Sequence, residues 1–402
     1  MRILFRLELY KVFKSRKNRI LFLMLVIYII ASIGFQYSSS KAFMQNQGAY
    51  YLNLADYSGL KAAAIQTEIS NGETLGIPIE PLKEARLELF TNLSKAQGSI
   101  GFFMQNDLMS DYSFIVYSQV RLFQNIIEGL EGDLFTKEEI LQRNYQLDDL
   151  KQDLALAEYW DSHQDEIVLN PLKVNGVSGL RAFLSYQNVF IIAIFVLFIT
   201  LDVFLIENAG GTYKLMMTLP HSRWSIYVTK VLTMLITALL VIIAAILIRF
   251  SVSAIFGGIG SWSDPVASRV NLQGLSFLGR SATPNIISSL EFIIRGFAML
   301  SLVMSALVLL SAMVAAVNDQ IDQTLFIVLS TLLLTFILGI LLHKSSSVHM
   351  WYPLMSLFVS DVIHVTKNMN FMLSSLLNIG LGAICFMIGG FYFAQKDFID
   401  NH

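Results

Sequence analysis

Few side chains in this sequence have the types and spacing that catalysis needs. The sequence contains no G-x-x-x-x-G-K-[ST] phosphate loop, no H-E-x-x-H zinc motif and no G-x-S-x-G nucleophile elbow. Asp361 and His364 could lie on one helix face, with His343 and His349 nearby, but histidines in a polar loop are usually not ligands. We therefore expect no enzyme activity, no bound cofactor and no metal site in this chain.

Two charged residues border long apolar runs. Asp202 lies inside the run 189–206, and a carboxylate within a membrane segment is commonly functional. At 1.5 Å per residue, however, Asp202 lies only about 6 Å from the end of its run. We therefore expect a carboxylate at the inner face that reaches water or pairs with Lys230.

The segment 207–230, ENAGGTYKLMMTLPHSRWSIYVTK, joins two apolar runs of 18 residues each. Gly210 and Gly211 break the preceding helix, Thr212 can cap a new one, and Pro220 ends that helix about two turns later. Three Lys or Arg residues against one acid make the segment net positive, which favours the cytoplasmic face of a membrane.

This order of residues resembles the loop between spans two and three of exporter permeases of the ATP-binding cassette (ABC) superfamily, type-2 membrane family. In that family the loop forms a coupling helix that docks onto the ATPase subunit. An ordinary connector between two spans is the alternative. The resemblance assigns ATPase coupling to Gly210, Gly211, Thr212, Leu215, Met216, Leu219, Pro220 and Arg223.

The amino-terminal segment, residues 1–19, is similar to the elbow helix of the same family. Seven basic residues against one acid precede the first apolar run, which favours an interfacial helix on the inner leaflet. Glu8 and Lys11 match the acid-x-x-basic pair of the family's elbow. A cleaved signal peptide is disfavoured because the basic region is long and no small-x-small site follows.

The composition indicates a helical membrane protein. The chain has 402 residues, of which 54% are hydrophobic and 14% charged, whereas a soluble domain carries about 25% charged residues. Its mean hydropathy is +0.58. Six apolar runs are long enough to span a bilayer as helices, which predicts an all-α membrane protein with six transmembrane helices. The predicted spans are residues 20–37, 187–206, 231–250, 291–317, 324–342 and 371–393.

Residues 38–186 form a predicted extracellular domain between spans one and two. Residues 36–186 hold 11 basic and 20 acidic residues, which places the segment outside and both termini in the cytoplasm. Its length suits an independent, mainly helical domain. We expect one helix over residues 80–95, an interruption at Gly98 and Ser99, a second helix over residues 104–130, and a third from the capping box at Thr136 to about Trp160.

The remaining segments connect the spans. They are the outer loop 251–290, a second outer loop with short helices at 343–370, and a cytoplasmic tail at 394–402. Cys385 lies in the last span, so no disulfide can cross-link the outer domain. A bacterial cell membrane fits this pattern.

The resemblance implies the permease subunit of an ABC exporter. Its partners would be a cytoplasmic ABC ATPase subunit that holds ATP and Mg²⁺, a second permease chain in a homodimer or heterodimer, and membrane lipid, with no nucleic acid. The substrate could be a peptide, a lipid-like molecule or a drug. The alternative is a membrane-anchored receptor or sensor with an extracellular ligand-binding domain.

Overall fold

The structure, a computed structural model, describes residues 2–75, 78, 80–106, 112–163, 170, 172–209, 222–268, 285–318, 320–343, 346–365 and 369–395. Helices make up most of this part of the chain, as predicted. They are α1 (Arg2–Lys14), α2 (Arg16–Thr74), α3 (Pro81–Gln105), α4 (Tyr112–Glu131), α5 (Lys137–Arg143), α6 (Leu147–Ser162), α7 (Gly176–Phe183), α8 (Tyr186–Ala209), α9 (Arg223–Gly257), α10 (Ser289–Val317), α11 (Ile321–Leu341), α12 (Ser347–Trp351), α13 (Val359–His364) and α14 (Phe371–Gln395), with a 3₁₀ turn at Pro353–Leu357.

Six of the described helices are long and apolar enough to cross a membrane, namely α2, α8, α9, α10, α11 and α14. Each corresponds to one of the runs predicted from the sequence, so the helical multi-pass class is confirmed. These helices pack around one hydrophobic core in which Leu25, Val196 and Leu300 are fully buried. Exposed apolar side chains such as Leu23 and Ile384 cover their outer faces, as expected for helices that contact lipid.

The first spanning helix is much longer than predicted. The sequence predicts an end near residue 37, but α2 continues without interruption from Arg16 to Thr74. At 1.5 Å per residue it is about 88 Å long, roughly three times the thickness of a bilayer's hydrocarbon core. Its second half therefore belongs to the segment that follows the span.

The second half of α2 packs against α3, α3 packs against α4, and α4 packs against α6, so that these helices enclose a separate hydrophobic core. The predicted helical character of the segment is confirmed, but its predicted helix boundaries are wrong. α3 runs through Gly98 and Ser99 to Gln105, because a glycine within a helix costs only about 1 kcal/mol relative to alanine and the packing of α3 against α2 offsets that cost. The predicted helix 104–130 is likewise divided, since α4 begins at Tyr112.

Two glycines allow α2 and α3 to approach closely. A Cβ atom added to Gly48 would lie 2.8 Å from the amide nitrogen of Gln105, and one added to Gly101 would lie 2.8 Å from the amide nitrogen of Leu52. Nearby, the Ser58 hydroxyl donates a hydrogen bond of 2.8 Å to Gln97. The helices therefore meet backbone to backbone, which only glycine permits at these positions.

The predicted capping box at Thr136 is confirmed. The Thr136 hydroxyl accepts a hydrogen bond from the Glu139 amide at 3.2 Å, and the Glu139 carboxylate accepts one from the Thr136 amide at 2.8 Å. The helix that it starts ends early, at Arg143, because Asn144 takes a left-handed conformation with φ of 51°. A new helix, α6, then begins at Leu147, so the predicted single helix is two helices.

Glu139 also lies between two basic side chains. Its carboxylate is 3.3 Å from Lys61 and 3.2 Å from Arg86. Burial alone would raise the pKa of this carboxyl, but the hydrogen bond from the Thr136 amide and the charges of Lys61 and Arg86 bring the pKa below its ordinary value. The ion pairs join α2, α3 and α5.

The all-α class is confirmed, with one small addition. Pro265–Ser268 and Asn285–Ser288 form two short antiparallel strands, β1 and β2, in the predicted outer loop 251–290. The Ser268 hydroxyl bonds to the Ile363 carbonyl at 2.7 Å, and the Gln152 amide bonds to the His364 carbonyl at 2.8 Å. These bonds join β1 and α6 to α13.

Candidate functional site

The described residues contain both ends of the loop that resembles a coupling helix. α8 ends at Ala209, and α9 begins at Arg223, where the Ser222 hydroxyl caps it by accepting a hydrogen bond from the Ser225 amide at 3.2 Å. The predicted coupling residues Gly210, Gly211, Thr212, Leu215, Met216, Leu219 and Pro220 lie outside the described residues. Arg223, the last residue of the predicted set, is within them.

The start of α9 is fastened to the end of α14. Arg223 donates a hydrogen bond of 3.3 Å from Nη1 to the Ala394 carbonyl, one of the last carbonyls of α14, which lacks a partner within its own helix. A positive charge at this end also favours the helix dipole. A Cβ on Gly390 would lie 2.0 Å from the Trp224 ring, so this glycine allows the two helices to make contact.

Lys230 connects α9 to α8. Its side chain is completely buried, and Nζ donates a hydrogen bond of 2.6 Å to the Val203 carbonyl. The ammonium also lies 5.3 Å from the centre of the Phe204 ring, close enough for a cation–π interaction. The loop is therefore attached through α9 to both α8 and α14.

The sequence predicts that Asp202 reaches water or pairs with Lys230. In the structure Asp202 forms an ion pair with Lys17. Asp202 is 5% exposed, and its Oδ1 accepts a hydrogen bond from the ammonium of Lys17 at the start of α2. The Lys17 side chain is half exposed, whereas the Lys230 ammonium donates to the Val203 carbonyl. The correction adds α2 to the helices that meet at this end of the spans.

α1 lies across the same end. It packs against α8 and α9, and Glu8, only 2% exposed, accepts a hydrogen bond of 3.2 Å from Lys11. The predicted elbow pair is thus an ion pair. Ile3, Leu7 and Tyr10 remain more than half exposed on α1, an apolar face suited to contact with lipid or another chain.

His364, one of the histidines that the sequence places near Asp361, contacts the strand β1. Its Nδ1 lies 2.8 Å from the Ala267 carbonyl. A carbonyl only accepts, so Nδ1 carries the proton. The ring also packs 5.1 Å from that of Phe292. Burial lowers the pKa of His364, in opposition to this hydrogen bond. His364 therefore joins α13 to β1.

Sequence reasoning missed Arg249, which is 2% exposed near the end of α9. It donates hydrogen bonds to Gly179 of α7 and to Ser32 and Gln36 of α2. The sequence contains one indication of this role, because Arg249 directly follows an 18-residue apolar run. An ionisable residue at a membrane boundary commonly has a function or a specific partner. Arg249 belongs to a cavity at the opposite end of the spans.

These elements define a helical multi-pass membrane protein whose span ends are joined by polar contacts. The profile of a family described as "ABC-2 family transporter protein" matches residues 3–381. The chain therefore belongs to this family and is a membrane permease of an ABC transporter, a class that works with an ABC ATPase. Neither the curated proteins nor the solved structures gave a match.

Proposed function

We propose that this chain is the permease of an exporter and that the loop 207–230 is the surface on which its ATPase subunit docks. One observation carries the proposal: the helix that follows the loop is bonded at its first turns to two other spans. Arg223 bonds to the end of α14, and Lys230 bonds to α8. A force applied to the loop would reach three spanning helices together.

The charge distribution supports the orientation of the chain in the membrane that export requires. α1 and the start of α2 carry the basic residues of the amino terminus, and basic residues flank spans on the cytoplasmic side. The acidic segment after the first span would then be extracellular. ATP hydrolysed at the cytoplasmic loop would move substrate outward along a path between this chain and a second permease chain.

Cysteine labelling tests this orientation. Cysteines placed at Ser40 and at Ser162 should react with an impermeant thiol reagent in intact cells, while one at Thr218 should react only after the membrane is opened. The background is a Cys385→Ser chain, since Cys385 is the single native cysteine. Labelling of Thr218 alone in intact cells would reverse the orientation and remove the docking proposal.

Loop variants test the docking itself. Met216→Pro should break a short helix, because proline in a helix costs about 3 kcal/mol or more, and Arg223→Glu reverses a charge beside the same surface. Both should reach the membrane at normal levels and retain much less of the ATPase that co-purifies with the wild-type chain. Arg223→Lys, which keeps the charge, is the matched control and should retain most of it.

Full ATPase association by Met216→Pro and Arg223→Glu would contradict the proposal. The second hydrophobic core around α3, α4 and α6 would then favour the alternative of a sensor, because that part of the chain has a core of its own and the size of a domain, as a ligand-binding domain needs. Purification of the wild-type chain separates these functions, since a permease should bring an ATPase with it.

A further inference from the structure

A cavity of about 800 Å³ with both polar and apolar walls lies at the end of the spans opposite to α1. Its walls come from α2, α7, α8, α9, α10 and α13. Arg249, in this wall, is roughly 39 Å along α9 from Arg223 at 1.5 Å per residue. With Arg223 at the inner face of a hydrocarbon core about 30 Å thick, Arg249 would reach the level of the outer lipid head groups, while Tyr28 and Ser32 of the same wall lie within the first predicted span.

Arg249 is held rigidly in the wall of this cavity. Its Nε donates to the Gly179 carbonyl at 3.1 Å, its Nη1 donates to the Ser32 hydroxyl at 2.7 Å, and its Nη2 donates to the Gln36 side-chain oxygen. The Gln36 amide nitrogen in turn donates to the Leu172 carbonyl at 3.3 Å, which orients its oxygen toward the arginine. The hydrogen bonds among the described residues thus use three of the five guanidinium N–H groups, which leaves two for a ligand.

A second arginine, Arg181 of α7, lines the same cavity. Its Nη1 donates to the Ser289 hydroxyl at 3.4 Å. Burial lowers the pKa of this guanidinium, and the negative charge of Asp264 opposes the change. Among the residues that the structure describes, no carboxylate lies within the 4.0 Å of an ion pair from either Arg181 or Arg249.

Within the part of the chain that the structure describes, two positive charges therefore face one cavity with no carboxylate in direct contact. Arginine stays protonated in proteins, and a buried charge is costly unless an opposite charge and hydrogen bonds compensate it. The neutral acceptors around Arg249 satisfy N–H groups but leave the charge unbalanced. A bound anion would supply what the described residues do not, and the planar fork of arginine matches the oxygens of a phosphate.

The rest of the wall indicates what carries that phosphate. Ala31, Phe35 and Phe292 line the cavity beside the polar groups, so apolar and charged surfaces adjoin. Tyr28 donates to Asn188 at 2.7 Å, and Asn188 donates to the Ala182 carbonyl at 2.7 Å, which completes a polar wall next to the apolar one. Such a cavity suits an amphiphile.

We propose that this cavity binds the phosphate head of an anionic amphiphile, with Arg249 and Arg181 as its contacts. The site is separate from the proposed docking loop and does not depend on the export function. Arg249 holds three wall elements in place and also presents its remaining N–H groups to the phosphate. The bilayer's own phospholipid and a free phosphate compound share this chemistry.

Native mass spectrometry of the full chain, purified in detergent, tests the proposal. The probes are phosphatidylglycerol, which is anionic, phosphatidylcholine, which carries phosphate without net charge, and inorganic phosphate as a competitor. The wild-type chain should retain phosphatidylglycerol in preference to phosphatidylcholine. Arg249→Met and Arg181→Gln should each weaken that retention about tenfold or more, as expected for lost charged hydrogen bonds.

Arg295→Met is the matched control, because Arg295 is paired with Glu291 on α10 and does not line the cavity. It should retain the lipid as the wild type does. If gel filtration and circular dichroism show that Arg249→Met does not fold, Arg181→Gln replaces it as the test. Arg181→Gln should fold, because Arg181 contacts the cavity wall through a single long hydrogen bond, and its lipid retention then tests the proposal.

Displacement of the lipid by millimolar inorganic phosphate would support a site for phosphate compounds in general, and resistance to displacement would support a lipid site. Equal retention of both lipids by the wild type would overturn the proposal. So would unchanged retention in Arg181→Gln, because the arginines would then serve only to join helices.

Discussion

Replacement of Gly101 by alanine should weaken the contact between α2 and α3. The added Cβ would lie 2.8 Å from the Leu52 amide nitrogen and 2.9 Å from the Gly48 carbonyl oxygen. Both are backbone atoms and cannot rotate away, so the helices must separate. Overpacking costs about 1–3 kcal/mol, and contact with rigid backbone favours the upper value. The better helix propensity of alanine offsets about 1 kcal/mol, which leaves a net destabilisation of about 2 kcal/mol.

Gly98→Ala on the same helix is the control. Its Cβ would lie 3.7 Å from the Cβ of Ala55, an ordinary contact, so the variant should gain about 0.5–1 kcal/mol. The two variants should then differ by about 3 kcal/mol, or roughly a hundredfold in the rate of local opening.

Amide hydrogen exchange of the full chain in detergent, followed over residues 89–104, measures this difference. Faster exchange in Gly101→Ala and slower exchange in Gly98→Ala are expected. Equal exchange in the two variants would refute the inference that backbone contact, rather than helix propensity, limits these positions.

Two further predictions concern packing and charge. Gly390→Leu should separate α9 from α14, because the added Cβ atom would lie 2.0 Å from the Trp224 ring. The tryptophan emission should then shift to longer wavelength. Gly380→Leu is the control and should cause no shift, because an added Cβ atom there has nothing within 4 Å. Glu139→Gln should lower the stability of the α3 to α6 region by about 1–2 kcal/mol at pH 7. Since the folded pKa of Glu139 is lowered from 4.5, its stabilisation is lost as pH falls through that range, and exchange rates of the two chains should converge there.

The features that could be predicted from the sequence depend on neighbouring residues. An apolar run of 18 residues must form a helix in lipid, so all six spans were recognisable. The capping box at Thr136 closes over three residues, and the pair of Glu8 and Lys11 lies within one helical turn. In each case the interacting groups are close in the chain.

The features that could not be predicted depend on distant partners. Lys17 and Asp202 are 185 residues apart, and composition cannot distinguish this partner from the nearer Lys230. The sequence predicts that Gly98 interrupts the helix, but in the structure Gly98 lies within α3 and next to Ala55 of α2. The Arg249 site needs α2, α7 and α9 together. These contacts depend on how distant helices pack together, and a single sequence contains no direct information about that packing.

The uninterrupted course of α2 makes it a lever arm. A bilayer covers about 20 residues of a helix, so well over half of the 59 residues of α2 lie beyond it. The salt bridge from Lys17 to Asp202 ties the near end of this rod to α8, and α3 lies along its far part. Over a rod of roughly 88 Å, a tilt of about 5° at the near end would carry the far end through roughly 8 Å. Small displacements at the span ends would thereby become much larger displacements at the far end of α2, and no hinge within the helix would be needed.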